Sequence, residues 1–453
     1  MLSKNKKEQL LLDNVGLYNV HIGDFIQNIR HSKMVGQASR QFSLEDILRE
    51  KQVQHVVRQC VGADTWRVQA CHVRAATDGL AGFLGDHLRA TLQVAVDGQL
   101  KDIHLFIKCI PMNNRPKAEF IDSNNYFKRE QYMFQLLEEI RDEKDPYPWC
   151  PRAYIYTDSI IVMPDLAVEG YTTRHYLETL DLPHMMLGTA TLARFHAAFT
   201  NYETRQSIIN NRPYNSNEVL GNLLVEPAFC DSPFMKTCAK LTADFLKVFS
   251  TKLYRNLPNL EEKIAKQFLV ACEGVKEWKG TLNVLIHKDL WVNNMMFKYE
   301  DNVPTNAIIL DFQLLRYAPP AFDLMTFVYL TTSRSFREKH EKQIYDHYFS
   351  VFCDNLDEDS KQRMKDLGYD RDSFLWWCER ARMFGVVEPA AINPFILMDP
   401  KTAQKTFDDP ETYHRVVNED RSEPVLQYAT SCSAYRDRLL EVFEEFVERY
   451  ILS

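Results

Sequence analysis

At 453 residues, with 45% hydrophobic and 26% charged residues, the chain has the make-up of an ordinary globular protein large enough for two domains. Its net charge of −8 gives no overall positive field for nucleic acid or anionic lipid, and no apolar run approaches membrane-spanning length. Ten cysteines are scattered without a C-x-x-C pair, and the Lys-rich stretch Met1 to Gln9 lacks the apolar core of a secretory signal. A soluble, cytoplasmic protein with reduced thiols is expected.

Residues 1–42 show weak periodicity and read as an N-terminal extension. Ser43 with Asp46 resembles a capping box, and Leu44, Ile47, Val53, Val56 and Val57 continue the stripe of an amphipathic helix. From Leu88 to Val96 apolar and polar residues alternate as in a strand, and Asp97-Gly98 signals a hairpin turn. Ile103 to Ile110 is nearly all apolar, as expected of a strand covered on both faces. The spacing becomes helical from Asn124 to Ile140, with Phe127, Phe134 and Leu137 on one stripe, and Tyr154 to Met163 reads as a strand interrupted at Pro164. Leu187 to Phe199, Met235 to Phe249 and most of the chain after Pro320 are predicted helical. A β-rich front and a mainly helical back predict an α+β fold in two lobes, 43–163 and 164–453.

One stretch of the helical part departs from that pattern. Val284 to Phe297, followed by Ala307 to Gln313, reads as strand, polar loop, strand, turn, strand. His287, Asp289 and Asn294 fit H-x-D-x-x-x-x-N, and Asp311 opens a D-F-x triplet at the end of the last apolar run. Phosphoryl transfer from a magnesium nucleotide needs a carboxylate at the acceptor hydroxyl, a second carboxylate on the metal, and an amide oxygen sharing the metal. Asp289 fits the first role, Asp311 and Asn294 the others, and His287 braces the loop. Delivery from one hairpin's rim suits catalysis by positioning.

Lys108 stands inside the apolar run Leu105 to Ile110, and Glu130 falls on the stripe of Phe127 and Phe134. A buried lysine on a strand and a buried glutamate on the next helix answer one another's desolvation, and such a pair can hold a lysine against nucleotide phosphates. Gly79, Gly82 and Gly85 precede the first clear strand, where a permissive backbone could approach phosphates. Asp323 either caps the helix after Pro320 or ties back to the polar loop. His196, on a helix of small and apolar residues, reads as a satisfied core group, and the cluster of Trp376, Trp377, Met383, Phe384 and Val386 as core or as one wall of an apolar pocket.

With these residues in view, the chain resembles the ecdysteroid kinase-like family, in the aminoglycoside phosphotransferase and choline kinase branch of the protein-kinase-like fold. Leu105-Phe106-Ile107-Lys108, Phe127-x-x-Glu130, Leu192 to Ala197, Asp289-Leu290-Trp291-Val292-Asn293-Asn294, Asp311-Phe312-Gln313 and Arg316-Tyr317 carry the resemblance, over roughly residues 70 to 350. It implies a bilobal kinase fold with ATP between the lobes, Mg2+ as the metal, and a small-molecule hydroxyl as acceptor. Met163 and Asp165 would lie at the adenine, contacted largely through backbone. Three departures stand out: Lys288 where the family reads H-G-D, Pro164 where an acidic residue commonly precedes Asp-Leu, and a looser glycine loop. The acceptor is expected to be an apolar alcohol such as an ecdysteroid or a foreign or dietary compound, with no nucleic acid, membrane or obligate protein partner. The competing reading is a catalytically silent kinase-like protein that binds a steroid or nucleotide, against which the joint presence of Lys108, Glu130, Asp289, Asn294 and Asp311 argues. A protein kinase is disfavoured by D-F-Q in place of D-F-G and by the lack of an A-P-E segment.

Overall fold

A computed structural model of the protein describes residues 44–77, 82, 85–112 and 114–452. The expected N-terminal extension, Ser43 and Gly79 lie outside the described residues. The chain is α+β and divides into two compact units, one drawing on the described residues up to Phe134 with Arg152–Glu169, the other on Gln135–Pro151 with the described residues from Gly170 onward.

The first unit is built on a five-stranded antiparallel sheet, β1 (Arg67–Ala75), β2 (Asp86–Val96), β3 (Gln99–Cys109), β4 (Ile155–Tyr156) and β5 (Ile160–Pro164), in the order β1-β2-β3-β5-β4. Asp97 and Gly98 both take positive φ, 49° and 77°, the pair of conformations a tight turn between twisted strands requires. Helix α1 (Glu50–Val61) buries Val56 and Val57 against Leu92, Val94, Leu105, Ile107 and Val162 on one face of the sheet. The side chain of Lys108 therefore falls on the opposite face. Helices α2 (Arg115–Ser123) and α3 (Tyr126–Ile140) follow.

Three details differ from the expected elements. The helix expected from Ser43 starts at Glu50, after a separate 3-10 turn at Leu44–Asp46, because Gln52 Oε1 accepts the Arg49 N–H at 2.9 Å and fixes the start there. Strand β1 was not expected, since the adjacent Ala70 and Cys71 break the alternation of its apolar residues Val68, Val73 and Ala75; it places Gly82 and Gly85 between β1 and β2. The strand expected over Tyr154–Met163 is two short arms, turned where Thr157 Oγ1 accepts the N–H groups of Ser159 and Ile160 at 3.2 and 3.0 Å.

The second unit is mainly helical: α4 (Leu182–Ile209), α5 (Ser216–Leu220), α6 (Pro233–Phe249), α7 (Leu260–Gly274), α8 (Ala321–Thr331), α9 (Arg334–Asp354), α10 (Glu358–Asp366) and α11 (Arg371–Ile396), then four helices from Pro400 to Tyr450. Asp181 and Ser232 cap α4 and α6 through their side chains, and proline occupies the first turn of both. Among them sit β6 (Tyr171–Thr172), β7 (Val284–Ile286), β8 (Met295–Glu300), β9 (Val303–Ile309) and β10 (Arg316–Ala318), paired as β6-β8-β9 and β10-β7. Among the described residues, no helix is long and apolar enough to cross a membrane.

Helix α4 is held close to this β element at Gly188, where an added Cβ would stand 2.6 Å from Phe327 Cζ and 2.7 Å from Met295 Sδ. Ordinary helix propensity favours alanine over glycine by about 1 kcal/mol, but here the overlap dominates. Gly188→Ala is expected to destabilise the protein by about 1–3 kcal/mol in urea unfolding; equal or greater stability would show that α4 is free to move away.

Candidate active site

The polar loop lies between β7 and β8, and its geometry starts from one buried carboxylate. Asp323, fully buried in the first turn of α8, accepts the N–H of His287 at 2.6 Å on Oδ2 and that of Lys288 at 2.7 Å on Oδ1. It makes no side-chain cap on its own helix, so of the two roles open to it the structure shows the tie to the loop. His196 on α4 reaches the same carboxylate, with Nε2 at 3.0 Å from Oδ2, while Nδ1 accepts from the Tyr348 hydroxyl at 2.6 Å. His196 is thus a satisfied core group whose effect is to orient Asp323.

His287 fixes the other side of the loop. Its Nδ1 accepts the Asp289 N–H at 3.2 Å, which leaves Nε2–H to donate to the Leu310 carbonyl at 2.7 Å. Leu310 in turn donates its N–H to the Asn294 carbonyl at 2.9 Å. Residue 310, bonded at both ends to the loop, sets down Asp311 beside it, with Asp311 in the left-handed region at φ 66°. The Phe312 ring packs 5.2 Å from the His287 ring. β8 and β9 pair from Met295↔Ile309 outward, so Asn294 and Asp311 both stand at the hairpin's rim.

Asn294 Nδ2 donates to the Asp289 carbonyl at 2.8 Å and to Asp289 Oδ2 at 3.0 Å. With its nitrogen so committed, Oδ1 is the acceptor atom of the Asn294 side chain. Asp289, Asn294 and Asp311 are therefore gathered at one rim, braced by His287. Among the described residues no three His, Cys, Asp or Glu gather as a metal cage. Magnesium held chiefly by nucleotide phosphates needs only one or two protein oxygens of the kind Asp311 and Asn294 present.

In the other unit, Lys108 Nζ lies 2.7 Å from Glu130 Oε2 with both side chains almost wholly buried. Gly85, at φ 139°, packs beside this lysine; a Cβ there would stand 3.1 Å from the Cys109 carbonyl and 3.7 Å from Lys108 Cγ. Gly82 is crowded by the His87 ring. Met163 pairs with Phe106 in the sheet, and Asp165 donates its N–H to the His104 carbonyl at 3.0 Å while its carboxylate lies 3.1 Å from Arg89 Nε. The Asp165 amide is thus already engaged within the sheet.

The residue before Asp289 is a buried lysine. Lys288 takes φ 67°, is 1% exposed, and places Nζ 2.6 Å from Glu226 Oε2 and 4.1 Å from the centre of the Phe229 ring. Burial pushes the Glu226 carboxyl up, but Lys288 and Arg316 overcome this and hold it at about 2. Glu388, on α11, is also buried beside the loop, and neither of its carboxyl oxygens has a hydrogen-bond partner of normal geometry. Burial drives its pKa well above the carboxylate range against the opposing pull of Lys288, with Asp289 and Asp323 adding to the rise. Glu226 was not legible as part of the site, because it sits in a connecting segment 62 positions from its partner; Glu388 was legible only, with Glu379, as an acidic group that left a cationic acceptor possible. The pairing of Phe384 with Trp376 as one apolar wall is corrected. Phe384 packs in the core 5.9 Å from the Phe229 ring, whereas Trp376 is 57% exposed under Arg380.

The ecdysteroid kinase-like family model matches residues 79–359. No curated protein matches the sequence. Among solved structures, the chain is similar to the ethanolamine kinase of Plasmodium vivax, at 12% identity over 87% of this chain and 86% of that one, with a TM-score of 0.42. It is similar to the choline kinase of Streptococcus pneumoniae at 12% identity, over 84% and 99% of the two chains and a TM-score of 0.37. An aminoglycoside phosphotransferase from Streptomyces rimosus shares 14% identity over 76% and 99%, with a TM-score of 0.28.

Because Glu388 is held neutral in the folded protein and ionises near its ordinary pKa when unfolded, the native state binds the extra proton. Its contribution to stability is complete below the ordinary carboxyl range and declines as pH rises from there toward the raised folded value. Glu388→Gln cannot ionise, so its melting temperature relative to wild type is expected to increase steadily between pH 5 and pH 8. A difference that stays flat with pH would place an ionised Glu388 in the fold.

Proposed function

The chain belongs to the ecdysteroid kinase-like family, and with that membership and its protein-kinase-like α+β fold as premise we propose that it transfers the γ-phosphate of ATP to a hydroxyl of an apolar small molecule, such as an ecdysteroid or a foreign or dietary compound. The observation that carries this reading is the Asp289–Asn294 contact at the hairpin's rim: the amide nitrogen donates to both the carbonyl and the carboxylate of Asp289, so the amide oxygen is the atom of Asn294 that would serve a cation.

In this reading Asp289 orients the acceptor hydroxyl and takes its proton as the oxygen attacks phosphorus. The new O–P bond forms as the bond from the γ-phosphorus to the bridging oxygen breaks, and ADP leaves. Asn294 and Asp311 would hold Mg2+, which supplies neutralisation of phosphate charge when bound. Lys108, kept in place by Glu130, would anchor phosphates, with the backbone at Gly82 and Gly85 beside them and Met163 and Asp165 toward the adenine. His287 has no part in proton transfer, since both its nitrogens are used within the loop. The lobe boundaries at 43–163 and 164–453, and a cytoplasmic location in keeping with ten free cysteines, belong to the same proposal.

Two substitutions separate these roles. Asp289→Asn should lower turnover at least 100-fold, about 3 kcal/mol of barrier, with ATP–magnesium stabilisation nearly unchanged in thermal shift. Asp311→Ala should lose that stabilisation while remaining folded. Wild-type turnover in Asp289→Asn, or full magnesium-dependent stabilisation of Asp311→Ala, would reverse the corresponding assignment.

A further inference from the structure

Lys288 holds a left-handed conformation and buries an ammonium group where the family reads glycine, and each feature is costly on its own. Such a residue persists only where its surroundings over-determine it, and here they belong to one segment. Glu226 Oε2 meets Lys288 Nζ at 2.6 Å, and the other oxygen, Oε1, accepts the N–H groups of Ala228 and Phe229, both at 3.0 Å. Arg316, on β10 opposite Ile286, lies 3.8 Å from the same carboxylate and donates to the Leu224 carbonyl. The Phe229 ring, under the Lys288 ammonium, packs on Phe384 of α11. Leu224 to Phe229 is therefore fastened to the loop one residue from Asp289, and to the strand paired with β7.

Resting on the kinase reading above, we propose that the segment Leu224–Cys230 is a wall of the acceptor site and that Lys288 is the residue that positions it. The wall's chemistry follows from its charges. Glu226 is matched against two cations, Lys288 and Arg316, so the segment offers no uncompensated carboxylate to an amine. What it does expose is Val225, at 56%, and the half-exposed Pro227 and Ala228. Such a surface suits a neutral, largely apolar alcohol and rejects a polycation.

The test uses the full chain and two variants, Lys288→Gly, which also relieves the left-handed strain, and Glu226→Gln. Amide exchange across 224–230 should accelerate at least tenfold in both. With ecdysone, a plant sterol alcohol and choline as probes, the wild type should turn over a neutral alcohol in preference to choline. In both variants the KM for that alcohol should rise at least tenfold, with the KM for ATP within twofold. Unchanged exchange and an unchanged alcohol KM would overturn the wall and leave the kinase reading standing. A matched loss for ATP and alcohol would reduce Lys288 to general support, and a wild type preferring choline would overturn the wall's chemistry. A wild type that phosphorylates no alcohol and gains no stability from ATP and magnesium would overturn the kinase reading itself.

Discussion

Two consecutive backbone N–H groups, those of His287 and Lys288, end on the two oxygens of one fully buried carboxylate, Asp323. A charged acceptor in a dry site makes hydrogen bonds about twice as strong as neutral ones, and losing either would leave a buried group unsatisfied. That fork sets the direction in which the chain leaves β7. His287 then carries the order across to Leu310, Leu310 to Asn294, and the rim bearing Asp289, Asn294 and Asp311 is complete. Helix α4 contributes by holding the carboxylate through His196, and it lies close enough to do so because Gly188 has no side chain.

Around this fork the charges are balanced by pairing and by protonation. Lys288 is matched by Glu226, and Arg316 stands second to the same carboxylate. Glu388 is balanced differently: burial, with Asp289 and Asp323 adding to it, drives its carboxyl well above the usual carboxylate range. The buried Lys288 side chain adds the Leu224–Phe229 segment to the two holds the loop already has through Asp323 and His287. Positioning catalysis gains from such rigidity, since small displacements of a reacting group are expensive in rate.

Much of this was legible in the sequence. The strand-loop-strand pattern around His287, the run holding Lys108, and the stripe holding Glu130 each combine a periodicity with a polar residue that breaks it, and the structure brings Lys108 and Glu130 together as an ion pair. The family resemblance drew on those same residues. What could not be read were contacts between segments that carry no local pattern. Glu226 lies in an aperiodic stretch, and the choice between capping and tie-back for Asp323 depended on where β7 ended up relative to α8. β1 escaped notice because it is half exposed along its length, so its apolar residues do not alternate cleanly. Helical spacing likewise could not say that Phe384 would face the core and Trp376 the solvent.

The dependence of the site on Asp323 is tested most directly by amide exchange at His287 and Lys288, read in wild type and Asp323→Asn well below both melting temperatures. An asparagine can accept only one of the two N–H groups and turns its own amide hydrogens toward the other. At least one of those amides should exchange tenfold faster or more, with phosphoryl transfer falling in parallel. Unchanged protection at both amides, with transfer intact, would contradict the claim that this carboxylate holds the loop bearing Asp289.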